Sequence, residues 1–562
     1  MKKHIFLLII FLSLLAFWHH GILHPSYPSS RPIPADTAPH PAARILLVPL
    51  DGRPPCRQFV INAGKIANCD VIVPPSELQD YYSQPGDTKG LQDWLRQEIR
   101  GSHAVILSID QMLFGGLLAA REKEASPEDI RGLLSFLREL HAEHPHIPIY
   151  AFSILPRLTP QDTIDGYEER RDLIAYSRLV GRQAAGLSVD AEEIETLAAR
   201  IPPKSMQKYL SHFSDNEKLN EQLSLLAADG VFRRLILGQD DGEEYSIPNI
   251  EKQHLRSFLQ KHGISEQQVF LAHGADEIAL TLLAEIKCRE TGFIPRIHVE
   301  YNDSKTAGDI MPYMAIPTGA MVEEKLRMLG ADTADTPDTA DFTLFVSTTD
   351  YRQDTLKSRE SSVQRLTALA NAHAPTAIVD LSRHFTSDET LLPLLLRKDV
   401  PLNAFIAYAG WNTASNSIGT ALAQAILFSA SKEQAKTKEA LLATCRQNLM
   451  FLHNRYLEDS FYLKDIIDKI NASLKKEGYI NTADLDLEHN YQWATAMLQD
   501  AMKQKLAAYK ESKAFRTPFV VQAPAGSIKL RVRDIRIDTG FPWPRTFEID
   551  LQSTITLEVL DE

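Results

Sequence analysis

Residues 45–54 have the sequence ILLVPLDGRP, in which an apolar run ends in charged and polar residues. Strands that are buried on both faces of a parallel sheet are continuous apolar runs, and α/β proteins bind ligands beyond the carboxyl ends of such strands. The stretch therefore predicts a buried strand whose end carries Asp51 and Arg53 into a polar site.

The same pattern recurs along the chain. Further apolar runs lead into Asp110, Asp240 with Asp241, Asp276 with Glu277, Tyr301 with Asn302, Asp380, and Trp411 with Asn412. Helical patterns separate these runs, which predicts an α/β fold with a parallel sheet over residues 43–430, either barrel-like or divided into two doubly wound subdomains. A polar site assembled from many strand ends is typical of an enzyme, so 43–430 is predicted to be a catalytic region.

Three further regions differ from this pattern. Residues from about 162 to 228 are charged and mostly helical, which predicts a helical insertion. Residues 431–514 have helical spacing throughout. In residues 515–562 polar and apolar residues alternate with a period of two, which predicts a small antiparallel β module.

The N-terminus has a pattern of its own. Residues 1–23 begin with basic residues and continue with an apolar run, which predicts a signal peptide or an uncleaved N-terminal anchor. Residues 24–42 are rich in proline and serine and predict a stiff tether. We therefore expect an extracytoplasmic protein, secreted or anchored to the outer side of the cytoplasmic membrane, that contacts the membrane only through this segment.

Bulk composition excludes some functions. The chain has 562 residues and a net charge of -13, which argues against nucleic-acid binding. Its four cysteines have neither the spacing of a metal site nor that of a disulfide framework. Cys56 and Cys69 either pair in an oxidising compartment or remain buried thiols. No histidine array and no Gly-x-Ser-x-Gly motif is present, so neither a metal nor another cofactor is predicted.

Two longer motifs carry a resemblance to a known family. The sequences PLDGRP at residues 49–54 and AGWNTASNSIGTALA at residues 409–423 resemble the PLDxRP and AGWNTxxNxxGTALA segments of an uncharacterised bacterial family. The chain departs from that family at Gly52, where an acidic residue is expected in many relatives. Because the function of the family is unknown, the resemblance implies no activity.

Asp240 and Asp241 are the strongest candidates for catalysis. Two neighbouring carboxylates in different surroundings can divide acid–base work, one ionised and one protonated. The tandem also resembles the Asp-Asp pair of retaining hexosaminidases that use substrate-assisted catalysis. That resemblance implies that Asp240 orients the 2-acetamido group and that Asp241 is the general acid/base. The alternative is a helix N-cap followed by a solvated Asp-Gly turn.

Other charged residues at strand ends are predicted to bind substrate. Arg53 either clamps a carboxylate or phosphate or forms a structural pair with Asp51. Asp276 is expected to face the site, while its neighbour Glu277 caps the following helix. Asp110 either faces the ligand or is buried in a salt bridge with Arg121.

Aromatic and amide side chains are predicted to complete the site. Trp411, Asn412, Tyr301 and Asn302 offer an apolar platform and hydrogen-bonding groups, which suit the apolar face and hydroxyl rim of a sugar ring. Helix capping is the alternative role for Asn412, and equally for Asn416.

The leading hypothesis is an extracytoplasmic glycoside hydrolase that acts on 2-acetamido sugars by carboxylate acid/base catalysis. Its partner is then a carbohydrate or another small-molecule substrate. One alternative is a metal-dependent hydrolase of phosphate or acyl groups, with an ion held by Asp51, Asp240 and Asp276. The other is a non-catalytic envelope protein that binds a ligand in a cleft between two α/β lobes.

Overall fold

The computed structural model describes residues 41–160, 166–350 and 356–561. The predicted signal peptide or anchor at 1–23 lies outside the described residues, as does all of the predicted tether except residues 41 and 42. Within the described ranges, no helix combines the length and the apolar character needed to cross a membrane.

The first lobe is built on a six-stranded sheet in which every neighbouring pair of strands is parallel. Its spatial order is β2-β1-β3-β4-β5-β6. The strands are β1 (Ala43–Val48), β2 (Cys69–Ile72), β3 (Ala104–Ser108), β4 (Ile149–Leu155), β5 (Arg234–Gln239) and β6 (Val269–His273). Alternate residues of β1 enter two separate cores, Leu47 on one face and Leu46 on the other. Both faces are therefore buried, as the unbroken apolar runs predict.

The second lobe has a five-stranded sheet, also with parallel neighbours. Its spatial order is β11-β10-β9-β7-β8. The strands are β7 (Arg296–Tyr301), β8 (Asp332–Thr333), β9 (Phe342–Thr349), β10 (Thr376–Ser382) and β11 (Ala407–Ala409). Read from its β8 edge, this sheet repeats the order of the first five strands of the other lobe. Of the two arrangements left open by the sequence, the chain therefore has two doubly wound subdomains, and the predicted α/β class is confirmed.

Helices connect the strands of both lobes. Those of the first lobe are Gln58–Ile66, Thr88–Glu98, Ile109–Phe114, Leu117–Ala120, Pro127–Glu143, Tyr167–Ala184, Ala191–Arg200, Pro203–Ala228 and Ile247–Lys261. Three of these, from Tyr167 to Ala228, form the predicted helical insertion. Those that follow β6 are Ile278–Thr291, Thr318–Leu329, Leu356–Asn371, Leu392–Arg397 and Ala414–Gln434. Short 3₁₀ turns lie at Ser76–Leu78 in the first lobe and at Thr306–Gly308, Pro337–Thr339 and Leu402–Ala404 in the second.

The helix Ala414–Gln434 joins the two lobes because it packs closely on Ile278–Thr291, the helix that leaves the first sheet. Gly419 permits this approach, since a Cβ atom there would lie 2.4 Å from Cγ of Glu277. The small residues that follow Asn412 in the sequence thus serve helix packing.

The C-terminal part is helical and then antiparallel, as predicted. Its helices are Lys438–Arg455, the π-helix Tyr456–Ile466, Ile467–Lys476, Tyr491–Glu511 and Lys513–Arg516. The strands β12 (Phe519–Ala523), β13 (Gly526–Gly540) and β14 (Asp550–Leu560) form one antiparallel sheet. All four cysteines are buried free thiols, so Cys56 and Cys69 are not paired in this structure.

Candidate functional site

A cavity of about 490 Å³ lies where the two lobes meet. Strand ends β1, β5 and β6 contribute Asp51, Arg53, Asp240, Asp241 and Asp276 to its wall, and the segment after β11 contributes Asn412. Six residues predicted from separate strand ends are therefore brought together. The wall also contains Arg121, Arg157, Asn416, Arg545, Phe547, Tyr313 and Phe385.

The turn that carries the carboxylate pair is fixed from both lobes. The backbone N–H of Asp240 donates to the carbonyl of Leu155 at 3.3 Å, and the Asp241 carbonyl accepts from the N–H of Leu158 at 3.0 Å. From the second lobe, the carbonyl of Tyr313 accepts from the N–H of Gly242 at 3.1 Å. The pair is thus on a bonded turn, not on the solvated Asp-Gly turn of the alternative interpretation.

The two carboxyl groups differ in their protonation. Burial raises the pKa of Asp240, but the guanidinium of Arg121, with which it forms a salt bridge, and that of Arg157 bring the pKa below its ordinary value. Burial and the adjacent charge of Asp240 raise the pKa of Asp241 to about 7. One group is therefore ionised at neutral pH while the other is poised to exchange a proton.

Arg53 joins two strand ends. Its guanidinium binds the Asp51 carboxylate at 2.7 Å and the Asp276 carboxylate, also at 2.7 Å, and all three side chains are buried. Burial raises the pKa of Asp276, and Arg53 opposes the rise. Each role predicted for Arg53 from the sequence gave it a single partner. In the structure its guanidinium binds both Asp51 and Asp276.

Two further carboxyl groups lie behind this wall. Asp80 accepts from the N–H of Gly52 at 2.8 Å, and its other oxygen is buried with no hydrogen-bond partner among the described residues. Burial and the charge of Asp51 raise its pKa well above the ordinary value. Asp110 accepts from the N–H of Ile154 at 2.9 Å, and burial raises its pKa to about 7. Arg121, its predicted partner, binds Asp240 instead.

Glu277 anchors the turn that presents Asp276. It stands at the start of the helix Ile278–Thr291, but its side chain makes no cap bond there. It accepts from the fully buried Lys325 at 2.6 Å and from Ser415 at 2.7 Å. This ion pair ties the end of β6 to helices that begin at Thr318 and Ala414.

Trp411 is placed differently from the prediction. It is fully buried, where its ring packs near Phe59 and Phe547, and it does not line the cavity. Asn412 and Asn416 do line it. The side-chain oxygen of Asn416 is buried and accepts no hydrogen bond from any described residue.

Tyr301 and Asn302 also lie away from the cavity. Asn302 donates to the carbonyl of Thr348 at 3.1 Å and accepts from the hydroxyl of Thr306 at 2.7 Å, which fixes the loop after β7. The strand order of the second sheet reverses between β7 and β9. At this switch point the side chain of Asn302 is therefore hydrogen-bonded within the protein.

Five cavity residues had no role in the sequence predictions. Arg157 and Arg545 add cations, and Tyr313, Phe385 and Phe547 add aromatic rings. Arg545 ends the stretch FPWPR at residues 541–545, whose prolines and aromatic residues were a usable signal. Tyr313 and Phe385 lie in loops without a periodic pattern, and nothing in the sequence marked them.

A model of one family, described as protein of unknown function (DUF4127), matches residues 45–552. The chain belongs to this family. The predicted membership of a family of unknown function is thus confirmed. A comparison with curated proteins gave no match.

One group of side chains in this family member has the composition of a metal site. Ligand atoms of Asp350, His384 and Glu389 all lie within 4.8 Å of one another. Asp350 directly follows β9, and His384 and Glu389 lie in the loop after β10. Phe385, which follows His384, lines the cavity. The ion site considered from the sequence is less suited, because Asp51 and Asp276 bind Arg53 and Asp240 binds Arg121.

The cavity wall can perform acid–base chemistry on a polar ligand. It offers one carboxylate held ionised, one carboxyl group that titrates near neutral pH, arginine donors and an amide acceptor. The aromatic rings of Tyr313, Phe385 and Phe547 add apolar contact area. Polar groups that converge on a cavity with some apolar wall are typical of a small-molecule binding site.

Proposed function

We propose that the chain is an extracytoplasmic glycoside hydrolase that acts on 2-acetamido sugars. One observation carries the proposal: Asp240 and Asp241 are neighbours on the cavity wall, and their pKa values are moved in opposite directions. Carboxyl pairs with separated pKa values are the acid/base elements of glycosidases. The extracytoplasmic location rests on the apolar N-terminal sequence.

In the first step, the carbonyl oxygen of the substrate's acetamido group attacks the anomeric carbon as the glycosidic bond breaks. Asp241 donates its proton to the departing oxygen, and the ionised Asp240 accepts a hydrogen bond from the acetamido N–H. In the second step, Asp241 takes a proton from a water molecule as the water oxygen attacks the anomeric carbon. The bond between the anomeric carbon and the acetamido oxygen breaks, which restores the acetamido group. The product keeps the anomeric configuration of the substrate.

The surrounding contacts fit these roles. Arg121 keeps Asp240 ionised, so this carboxylate can bind the N–H group as positive charge develops. Backbone bonds to Leu158 and Tyr313 hold the turn of Asp241 in place. The N–H of Asp241 itself donates to the Asp240 carboxylate at 2.9 Å, so the two side chains keep a fixed relationship.

The test is release of nitrophenol from aryl 2-acetamido glycosides by the full chain, with the anomeric configuration of the product followed by NMR. Turnover with retention is expected, together with competitive inhibition by a thiazoline analogue of the cyclised intermediate. Asp241→Asn should lose turnover, and Asp240→Asn should also lose thiazoline affinity. Absence of turnover on a broad glycoside panel, with Asp241→Asn indistinguishable from the native protein in ligand binding, would contradict the proposal.

A metal-dependent phosphate or acyl hydrolase is the second candidate, because Asp350, His384 and Glu389 form a ligand-like cluster beside the cavity. Carboxylate and imidazole ligands of this kind suit Zn²⁺ or Mn²⁺. This function predicts one bound metal per chain, lost in His384→Ala, and hydrolysis of aryl phosphates or esters that a chelator stops. Glycoside turnover that survives chelation excludes this candidate.

A further inference from the structure

Three cavity residues have an unusual backbone conformation. Seven non-glycine residues of the described chain have a positive φ, and three of them line this one cavity: Tyr313 at +65°, Phe385 at +55° and Asn412 at +49°. Bulky side chains avoid this region because Cβ meets the backbone. Such outliers persist where the surroundings impose them, and they cluster at ligand sites.

Tyr313 and Phe385 are brought together from different loops of the second lobe. Tyr313 lies between β7 and the helix Thr318–Leu329, and Phe385 follows β10. Their ring centroids are 6.3 Å apart, and the planes are inclined at 44°. The two rings therefore form an angled aromatic wall, not one flat platform.

The loops present these rings to the ligand space. Tyr313 is 53% exposed and belongs to the cavity wall, so its side chain is accessible to a ligand there. The Phe385 ring is backed by the buried ammonium of Lys464, which lies 4.6 Å from the ring centroid. This cation–π contact occupies one face of the Phe385 ring and leaves the remainder of the ring available to the cavity.

The aromatic wall is mechanically tied to the carboxylate pair. The carbonyl of Tyr313 accepts the N–H of Gly242, the residue that follows Asp241. The backbone of Tyr313, which has a positive φ, is thus hydrogen-bonded directly to the turn that carries the proposed acid/base group. A ligand in contact with Asp241 is consequently in reach of the aromatic wall.

We infer that Tyr313 and Phe385 form a sugar-binding subsite, and that the substrate of the proposed hydrolase is a 2-acetamido oligosaccharide longer than one residue. This inference rests on the proposed function. Sugar rings stack their apolar C–H faces on aromatic rings. Because the two rings are inclined, one pyranose cannot lie flat on both, so a ligand that covers both extends over more than one ring.

The experiment measures tri-N-acetylchitotriose and N-acetylglucosamine binding by calorimetry, using the full chain with Asp241→Asn to prevent turnover. Tyr313→Ala and Phe385→Ala should each weaken trisaccharide binding about 5-fold to 10-fold, the size expected for the loss of one aromatic contact. The preference for the trisaccharide over the monosaccharide should shrink in both variants. Tyr313→Phe keeps the ring and should bind like the parent.

A matched control separates the ring from backbone strain. His373 also has a positive φ, +54°, but lines a different cavity, so His373→Ala should leave trisaccharide affinity unchanged. Thermal unfolding of each variant reports whether the fold is intact. Since Phe at position 313 preserves the aromatic contact, a loss shared by Tyr313→Ala and Tyr313→Phe would overturn the inference.

The two proposals fail in different ways. Glycoside turnover by the native chain, with a KM that neither Tyr313→Ala nor Phe385→Ala changes, overturns the aromatic subsite and leaves the proposed function standing. Trisaccharide binding that depends on both rings, without turnover of any glycoside, overturns the hydrolase and leaves the subsite standing. Equal affinity for the monosaccharide and the trisaccharide also overturns the subsite.

Discussion

The guanidinium of Arg53 lies 2.7 Å from the carboxylate of Asp276, although 223 residues separate them in the chain. The same guanidinium binds Asp51, so one cation neutralises two carboxylates that come from different strand ends. All three groups are buried, which makes their charges interdependent. The first and the sixth strands of the lobe are thereby joined at the cavity wall.

Arg53→Gln is expected to destabilise the fold strongly, because it leaves Asp51 and Asp276 as neighbouring buried carboxylates. Removal of one partner from a buried ion pair costs about 3–5 kcal/mol. Urea unfolding at pH 7 measures this loss. The control is Arg96→Gln, whose partner Glu139 is exposed, and which should cost less than about 1 kcal/mol. Similar losses for the two variants would contradict a structural role for the buried triad.

The pH dependence of turnover should report the proton of Asp241. As the general acid it must be protonated, and its pKa is raised to about 7 by burial and the neighbouring Asp240. We expect kcat/KM for an aryl glycoside to fall as pH rises through about 7. In Asp241→Asn this limb should vanish and the rate should drop by about 10²-fold or more. An unchanged basic limb in the variant would assign the limb to another group.

Asp241 should also lower stability at neutral and alkaline pH. Its ordinary pKa is near 3.8, and the folded value near 7 means that folding takes up a proton between these pH values. Its contribution to stability is greatest below pH 4 and falls as pH rises to about 7. Above that pH the ionised, buried carboxylate costs up to about 4 kcal/mol.

Asp241→Asn removes this cost, so it should be more stable than the native chain at pH 8 and gain little at pH 4.5. Urea titrations at the two pH values give the difference directly. As a comparison, Asp229→Asn alters an aspartate outside the cavity for which no such gain at pH 8 is expected. If Asp241→Asn gained the same stability at both pH values, ionisation of the Asp241 carboxyl group would not be what destabilises the fold.

Much of the site follows from where the strands end. Asp51, Asp240 and Asp276 each come after an apolar run, and parallel strands place such residues on one edge of a sheet. The apolar runs do not show whether the strands form one barrel or two open sheets. That choice depends on which strands become neighbours, and the order β2-β1-β3 is set by long-range packing and not by any local pattern.

The aromatic part of the site could not be predicted for a different reason. Tyr313 and Phe385 lie in loops and have a positive φ. The surrounding contacts impose this backbone conformation, and no spacing of residues in the sequence predicts it. Asn302, at a strand end of the second sheet, instead hydrogen-bonds Thr348 of β9 and Thr306 of its own loop. Position at a strand end indicates where a side chain emerges but not whether a ligand or the protein satisfies it.

Trp411 gives a direct test of this distinction between core and site. Its ring is fully buried beside Phe59 and Phe547, so Trp411→Ala should create a cavity and lower the free energy of unfolding by about 3–5 kcal/mol. Trp493→Ala, at a position that is 39% exposed, should cost much less. In the folded Trp411→Ala protein, saccharide affinity should change less than in Tyr313→Ala. If Trp411→Ala instead abolished saccharide binding while its unfolding free energy stayed native, the indole would have to reach the ligand, and the aromatic wall would extend across both lobes.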